Sequence, residues 1–319
     1  MRFTVRNINS RPLRSDKLII SVEGPTASGK TQLGVSLAAA FNTAVVSSDS
    51  RQCYKEMCIG TAVPSIEERR DIVHYMIHSH SVNDALTAAS FSAEAHKHIE
   101  TIFKKHNKVI LVGGSPLYAE SILYGLNDLP PIDPEIVNLT RAMSLEVLKQ
   151  QLKAADPETY ERIDQMNRRR LERAFQVTLQ TGEKFSALLN QPKQAPRYAV
   201  VRMRIEQPRT ILYERINKRV DAMFQMGLVE EARSLFSHPS EIIQATVGYT
   251  ELFEAFKQRY DLSRAKELIK QHTRNFAKRQ LTWYRKRNEM VSLSAEMPFE
   301  QALKMIKHLP QGETPHREY

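Results

Sequence analysis

The 319-residue chain is 41% hydrophobic, enough to bury a sizeable core in one large domain or two. Lys and Arg outnumber Asp and Glu by 46 to 36, and the resulting net charge of +10 suits an anionic partner such as nucleic acid. Two cysteines, Cys53 and Cys58, are too few for a disulfide framework and lack the second pair of a zinc site, so a disulfide scaffold is excluded and both thiols are expected reduced. The opening "MRFTVRNINSRPLRSDK" is polar and basic, and no 18-residue apolar run follows anywhere, so neither a signal peptide nor a membrane partner is expected and a cytoplasmic location is.

In chain order, Leu18, Ile19, Ile20 and Val22 predict a buried parallel strand that runs into "GPTASGKT", the full Gly-x4-Gly-Lys-Thr phosphate-binding pattern. A helix is predicted behind it from Leu33, Val35, Leu37 and Ala38 to Ala40. That order lets backbone N–H groups and a helix N-terminus surround a polyphosphate, with Lys30 on an outer phosphate and the Thr31 hydroxyl on Mg²⁺. "TAVVSSDS" (43–50) predicts a second strand ending in an acidic loop. Asp49 there can assist Mg²⁺ from outside its ligand sphere, act as a general base toward an acceptor, or merely cap an Asx turn.

Further along, "FSAEAHKHIETIFKK" (91–105) is helical by its spacing, and "KVILVGGS" (108–115) reads as a strand ending in glycines, with Ser115 able to donate to a leaving group. This strand lacks the terminal Asp of a Walker B sequence, which counts against an ATPase or motor. His74, His78, His80, His96 and His98 have no Asp, Glu or Cys at ligand spacing and read as ordinary helix and loop residues. The alternation predicts an α/β fold, a P-loop NTPase-like doubly wound parallel sheet whose ligands bind beyond the strand ends.

Two Pro-rich breaks, "NDLPPIDPE" (127–135) and "NQPKQAP" (190–196), bound a stretch that reads as helix throughout. A helical insertion over 127–196 is therefore expected in a core built from 1–126 and 197–310, with 311–319 as a loose tail. After the insertion, "RYAVVRMRI" (197–205) returns to strand character, and Thr210 to about Ile306 is helical in pattern. Two basic segments stand out. "NRRRLERAFQ" gathers Arg168, Arg169, Arg170 and Arg173, while in "TRNFAKRQLTWYRKR" Arg274, Lys278 and Arg285 share a stripe opposite Ile269, Phe276 and Trp283. Each alone fits a solvated helix face, but together with a phosphate loop they favour RNA.

"GPTASGKT", "DSRQCYKEMCIGTA", "VGGSPLY", "RRRLERA", "VGYTEL" and "KRQLTWYR", in this order from about Leu18 to Arg287, resemble the tRNA dimethylallyltransferase (tRNA isopentenyltransferase) family. The resemblance implies transfer of a dimethylallyl group from dimethylallyl diphosphate to N6 of adenosine 37, in tRNAs reading codons that begin with U, with release of diphosphate. By it, Asp49 matches the base and Ser115 stands where the family usually has Thr. Gly24, Pro25, Thr26, Ala27, Ser28, Gly29, Lys30 and Thr31 would hold the diphosphate with Arg215 and Arg219 of "YERINKRVDAM", and Thr31 would bind Mg²⁺. Contacts to the tRNA anticodon stem-loop fall to Asp49, Ser50, Arg51, Gln52, Arg169, Arg170, Arg173, Arg274, Lys278, Arg279 and Arg285. The insertion and the C-terminal helices would be the jaws of a monomer. Val63, His78 and Thr250 depart from the family's Lys, Asp and Arg. Other readings are a small-molecule kinase, an RNA-binding protein with a regulatory nucleotide site, and an adenylate isopentenyltransferase, which has little use for basic jaws.

Overall fold

A computed structural model describes residues 16–84, 86–127, 129–190 and 196–309; most of the basic opening segment and the expected tail at 311–319 lie outside them. The chain begins with β1 (Leu18–Glu23), α1 (Lys30–Ala40), β2 (Val45–Ser47), α2 (Ile66–Arg69), β3 (His74–Tyr75), α3 (Ala88–Phe103), β4 (Lys108–Gly113) and α4 (Pro116–Tyr124). Five helices follow: α5 (Pro134–Ala142), α6 (Leu145–Ala155), α7 (Pro157–Arg162), α8 (Arg168–Thr181) and α9 (Phe185–Leu189). Then come β5 (Ala199–Glu206), α10 (Arg209–Gln225), α11 (Leu228–Ser234), α12 (Glu241–Gln244), α13 (Tyr249–Phe256), α14 (Leu262–Arg285), β6 (Val291–Ser294) and α15 (Pro298–Lys307). The chain divides into two compact units, Met1–Leu123 with Ala195–Tyr319, and Tyr124–Gln194.

In the first unit the strands form one sheet in the order β3-β2-β4-β1-β5-β6. Every pairing is parallel, with Leu18 of β1 opposite Lys108 on one side and Ala199 on the other. Strands covered on both faces need continuous apolar runs, which is why "LIISV", "KVILV" and "AVV" carried so clear a signal. The α1 face of Leu33, Leu37 and Ala38 packs with Ile20, Val22, Ile110, Val112, Val201 and Met203. Gly34 lets that helix approach closely, because a Cβ there would stand 2.4 Å from Cγ2 of Val112. The strand order reverses direction beside β1, so the crevice at its C-terminal end is where a ligand fits, and the Gly24–Thr31 loop lies there.

Two short strands correct the sequence reading. β3 has two residues in a stretch that predicted no element, and β6 interrupts the run to Ile306 that was expected to be helical. β3 is too short to show a period of two, and the alternation in β6 spans only Val291 to Ser294; their ladders with β2 and β5 make them strands. Among the described residues, no helix is long and apolar enough to cross a membrane.

The second unit is not helix throughout. Asp133, Ser144, Asp156 and Asn167 each accept a backbone N–H at the start of α5, α6, α7 and α8, and Gly182 ends α8 in the left-handed region. Leu148, Leu152, Leu171, Ala174 and Phe175 form its core. Arg168 serves this fold: Nη2 donates to the carbonyls of Thr140, Arg141 and Met143 at the C-terminal end of α5, and Nε pairs with Glu172 at 2.7 Å.

Candidate active site

The loop after β1 turns through positive φ at Gly24 (149°), Ala27 (63°) and Gly29 (95°). Gly29 caps α1 without a side-chain bond, and the first turn of α1 holds no acidic residue, so the end of this helix presents its amides and positive dipole to an anion. Just behind the loop, Glu23 and Arg202 are buried together, with Nε to Oε1 and Nη2 to Oε2 both at 2.7 Å. Removing Arg202 would leave the fully buried Glu23 charge without a cation, so the pair holds β1 and β5 in place under the loop.

Lys30, Thr31, Asp49, Gln52 and Gly113 line one cleft. The Lys30 ammonium donates to Pro25 O at 3.2 Å. Burial brings its pKa down to about 8, opposed by the charge of Asp49 and reinforced by that of Arg219. Asp49 Oδ1 accepts from Arg51 N at 2.9 Å and Gln52 N at 3.4 Å, so the Asx turn considered from sequence exists, and it orients the carboxylate. Ser115 Oγ accepts from Ser50 N at 3.2 Å and lies 3.1 Å from Ser50 Oγ, tying the end of β4 to the turn after Asp49. The two strand ends touch: a Cβ on Gly113 would stand 2.1 Å from Ser48 Oγ.

α10 brings the two arginines of the expected clamp to this loop. Arg219 Nη1 lies 3.3 Å from Thr26 Oγ1, and Arg215 Nη1 lies 3.9 Å from where a Gly29 Cβ would be. They sit four residues apart on one helix face, the spacing at which side chains reach a common point.

Sequence reasoning missed Gln280. It is 4% exposed; its Oε1 accepts from Thr26 N at 3.0 Å and its Nε2 donates to Gly114 O at 2.6 Å, so α14 closes over both the phosphate loop and the end of β4. The buried side of α14 is Ala265, Ile269, Ala277, Gln280 and Tyr284, whereas Phe276 is 40% exposed and Trp283 is half-buried. That overturns the expected stripe of Ile269, Phe276 and Trp283. A seven-residue and an eleven-residue step both turn a straight α-helix by only about 20°, so periodicity does not separate Phe276 from Gln280, and what packs against α14 decides which is buried. A glutamine at that position on an otherwise basic helix was the available signal.

The sequence profile described as IPP transferase matches residues 52–287. The chain belongs to the IPP transferase family. A tRNA dimethylallyltransferase of Christiangramia forsetii is 43% identical over 276 residues, covering 85% of this chain and 91% of that protein. Another, from Cytophaga hutchinsonii, is 42% identical over 279 residues, covering 86% and 92%. The crystal structure of a tRNA isopentenylpyrophosphate transferase from Staphylococcus epidermidis is 34% identical and aligns at a TM-score of 0.65 over 91% of this chain and 99% of its own. A eukaryotic dimethylallyltransferase acting on tRNA aligns at 0.80 over 94% and 82%, and at 23% identity it speaks for the fold alone.

The other residues expected to act in an IPP transferase are more scattered. Ser50, Arg51 and Gln52 follow Asp49 in its turn, where Gln52 Nε2 donates to Ala62 O at 2.9 Å. On α14, Lys278, Arg279 and Arg285 are exposed, but Arg274 is half-buried and gives Nη1 to Asn217 Oδ1 of α10 at 2.6 Å. On α8 of the second unit, Arg169, Arg170 and Arg173 are exposed. Thr250 turns its hydroxyl back to Gln244 O at 2.7 Å. The histidine reading needs one correction: Glu94 stands four residues before His98 on α3 and lies 3.7 Å from it, and it also reaches His80 at 2.9 Å across the fold. Still, no metal-binding group of three such side chains occurs among the described residues. Both cysteines are free thiols. For Mg²⁺, the donors at hand are the Thr31 hydroxyl and the Asp49 carboxylate in the same cleft. These hard oxygens fit an ion that keeps several waters and takes substrate phosphates as its other ligands.

Proposed function

We propose that this IPP transferase moves a dimethylallyl group from dimethylallyl diphosphate to N6 of adenosine 37, in tRNAs reading codons that begin with U, and releases diphosphate. The observation that carries the reading is the placing of acids around the phosphate loop. β4, the strand beside β1 where a Walker B acid would stand, ends in Gly113, and Gly114 O is occupied by Gln280. The acid in the cleft is instead Asp49, one strand further out and electrostatically coupled to Lys30. A carboxylate so placed supports the reading of a base that acts on an acceptor.

The chemistry needs such a group. The lone pair of an adenine N6 amine is delocalised into the ring, so removing its proton during attack lowers the barrier. Nitrogen bonds to the allylic carbon as the carbon–oxygen bond to diphosphate breaks; the electron pair leaves with the bridging oxygen and the N6 proton passes to Asp49. With Oδ1 held by two amides, Oδ2 is the oxygen turned to that task. The amides of Gly24 to Thr31, with Lys30, Arg215 and Arg219, would take up the charge of the leaving diphosphate, and Ser115, whose Oγ already accepts from Ser50, would add its own proton as a donor. Mg²⁺ held through Thr31 would neutralise further phosphate charge. Adenosine 37 must leave its stack to reach Asp49, which requires a hold on the surrounding stem-loop through exposed cations such as Arg169, Arg170, Arg173, Lys278, Arg279 and Arg285. The proposed working form is a cytoplasmic monomer.

Mass spectrometry of nucleosides from tRNA incubated with the protein and dimethylallyl diphosphate tests the reading. N6-dimethylallyladenosine at position 37, matched by released diphosphate, is the expected result. Unmodified tRNA together with conversion of ATP to ADP would replace it with the kinase or ATPase reading.

A further inference from the structure

The loop that carries Asp49 is gripped from a distance by α11. Glu231 Oε2 accepts from Cys58 N at 3.0 Å and Ile59 N at 2.8 Å, and Oε1 accepts from Gly60 N at 2.9 Å and the Tyr249 hydroxyl at 2.7 Å. Three successive amides converging on one carboxylate form a backbone nest, and the fourth donor completes the carboxylate's ordinary complement of acceptor sites. Tyr249 is itself fully buried with its ring over Gly60, where a Cβ would stand 2.5 Å from ring carbon Cζ. Burial, then the neighbouring Glu231 charge, hold the phenol far above its usual range, so its proton stays in this bond.

From the nest a short path of hydrogen bonds returns to the cleft. Gln52 Nε2 donates to Thr61 O at 3.4 Å and Ala62 O at 2.9 Å, immediately after Gly60. The backbone amides of Gln52 and Arg51 in turn hold Asp49 Oδ1. Neither Glu231 nor Tyr249 lines the cleft with Asp49 and Lys30.

We propose that Glu231, with Tyr249, is a positioning residue that clamps the Cys58–Gly60 turn and thereby keeps Gln52 and the Asp49 carboxylate in the geometry of proton removal. The inference rests on Asp49 being the base. Glu231 touches no reacting atom in this account; it acts through the loop, with a charge that a nest of amides demands.

Two variants and two readouts test it. Glu231→Gln keeps the size but turns an NH2 group toward donors, and Tyr249→Phe keeps the ring over Gly60 while removing one bond. Hydrogen exchange over residues 48–62 should quicken in both, more in the first, while exchange over Gly24–Lys30 stays unchanged. Turnover at saturating substrates should fall about 10–100-fold in Glu231→Gln, the scale of a misplaced catalytic group, with the KM for dimethylallyl diphosphate nearly unaltered. In an Asp49→Asn background the same change should slow turnover by no more than about twofold, because the group it positions is gone. Unchanged exchange over 48–62, or full multiplication of the two losses, would overturn the proposal. A near-normal rate in Asp49→Asn alone would instead sink the base reading, and the exchange measurement decides the clamp by itself. Should Glu231→Gln fail to fold, Tyr249→Phe carries the same comparisons with a smaller loss.

Discussion

Lys30 is poised between two charge states. Burial lowers its pKa to about 8, Asp49 draws it back up and Arg219 pushes it down again. A bound diphosphate would favour the ammonium, so below pH 8 the free enzyme already carries the proton, and above it binding must take one up. The affinity for inorganic diphosphate should therefore fall by up to about tenfold per pH unit above pH 8 beyond the ligand's own titration. Calorimetry in buffers of different ionisation enthalpy should find the extra proton uptake in the wild type and not in Lys30→Arg; equal uptake in both would remove Lys30 from the site. For folding the sign is the reverse: the unfolded lysine holds its proton up to its ordinary 10.5, so burial costs stability at neutral pH and that cost fades between about 8 and 10.5. Asp49→Asn leaves an oxygen for the Arg51 and Gln52 amides but cannot accept the N6 proton. Turnover should drop by about 10²–10⁴ with tRNA affinity nearly retained, and a purified variant of near-normal rate would end the assignment.

At the scale of elements, α14 is the piece whose contribution was least visible beforehand. Its Gln280 satisfies an amide of the phosphate loop and a carbonyl at the end of β4 together. Gln280→Leu fills similar space and leaves both groups unpaired, so unfolding in urea should show a loss of about 1–3 kcal/mol. The same variant should raise the KM for dimethylallyl diphosphate more than it lowers turnover, since it loosens the loop and not the base. Unaltered stability and KM would mean that water replaces the amide without consequence. The neighbouring Arg274, bonded to Asn217, ties α14 to α10 and so keeps Arg219 against Thr26.

Over the whole molecule the net charge of +10 is spread unevenly in use. Arg168 is engaged with three carbonyls and Glu172, and Arg274 with Asn217, so these two serve the fold. The exposed cations of α8 and of the C-terminal part of α14 are the better candidates for RNA phosphates. Replacing Arg169 and Arg170 with Ala, or Lys278 and Arg285, should weaken tRNA binding and flatten log K against log salt by roughly 0.7–0.9 for each phosphate that is no longer neutralised. Turnover at saturating tRNA and the melting temperature of the free protein should change little, because such groups position RNA and add little to stability. If both pairs leave the salt slope untouched, these are solvated helix faces.

Sequence alone determined what is local. A continuous apolar run, glycines at required positive φ and a lysine at the head of a helix are all properties of neighbours in the chain, so β1, the phosphate loop and α1 could be read directly, and the same holds for Asp49 at the end of β2. The six ordered motifs carried the family for the same reason: each is a contiguous word. Tertiary structure decided what depends on partners far away. β3 and β6 exist by their ladders, Glu94 meets His80 only across the fold, and the side of α14 that is buried follows from what it packs against. Gln280 reaches Thr26 over 254 positions, and Glu231 reaches Gly60 over 171. A hydrogen bond between distant residues leaves no period and no spacing in the chain, because the partner of a buried polar group is chosen by the folded geometry and not by its neighbours in sequence.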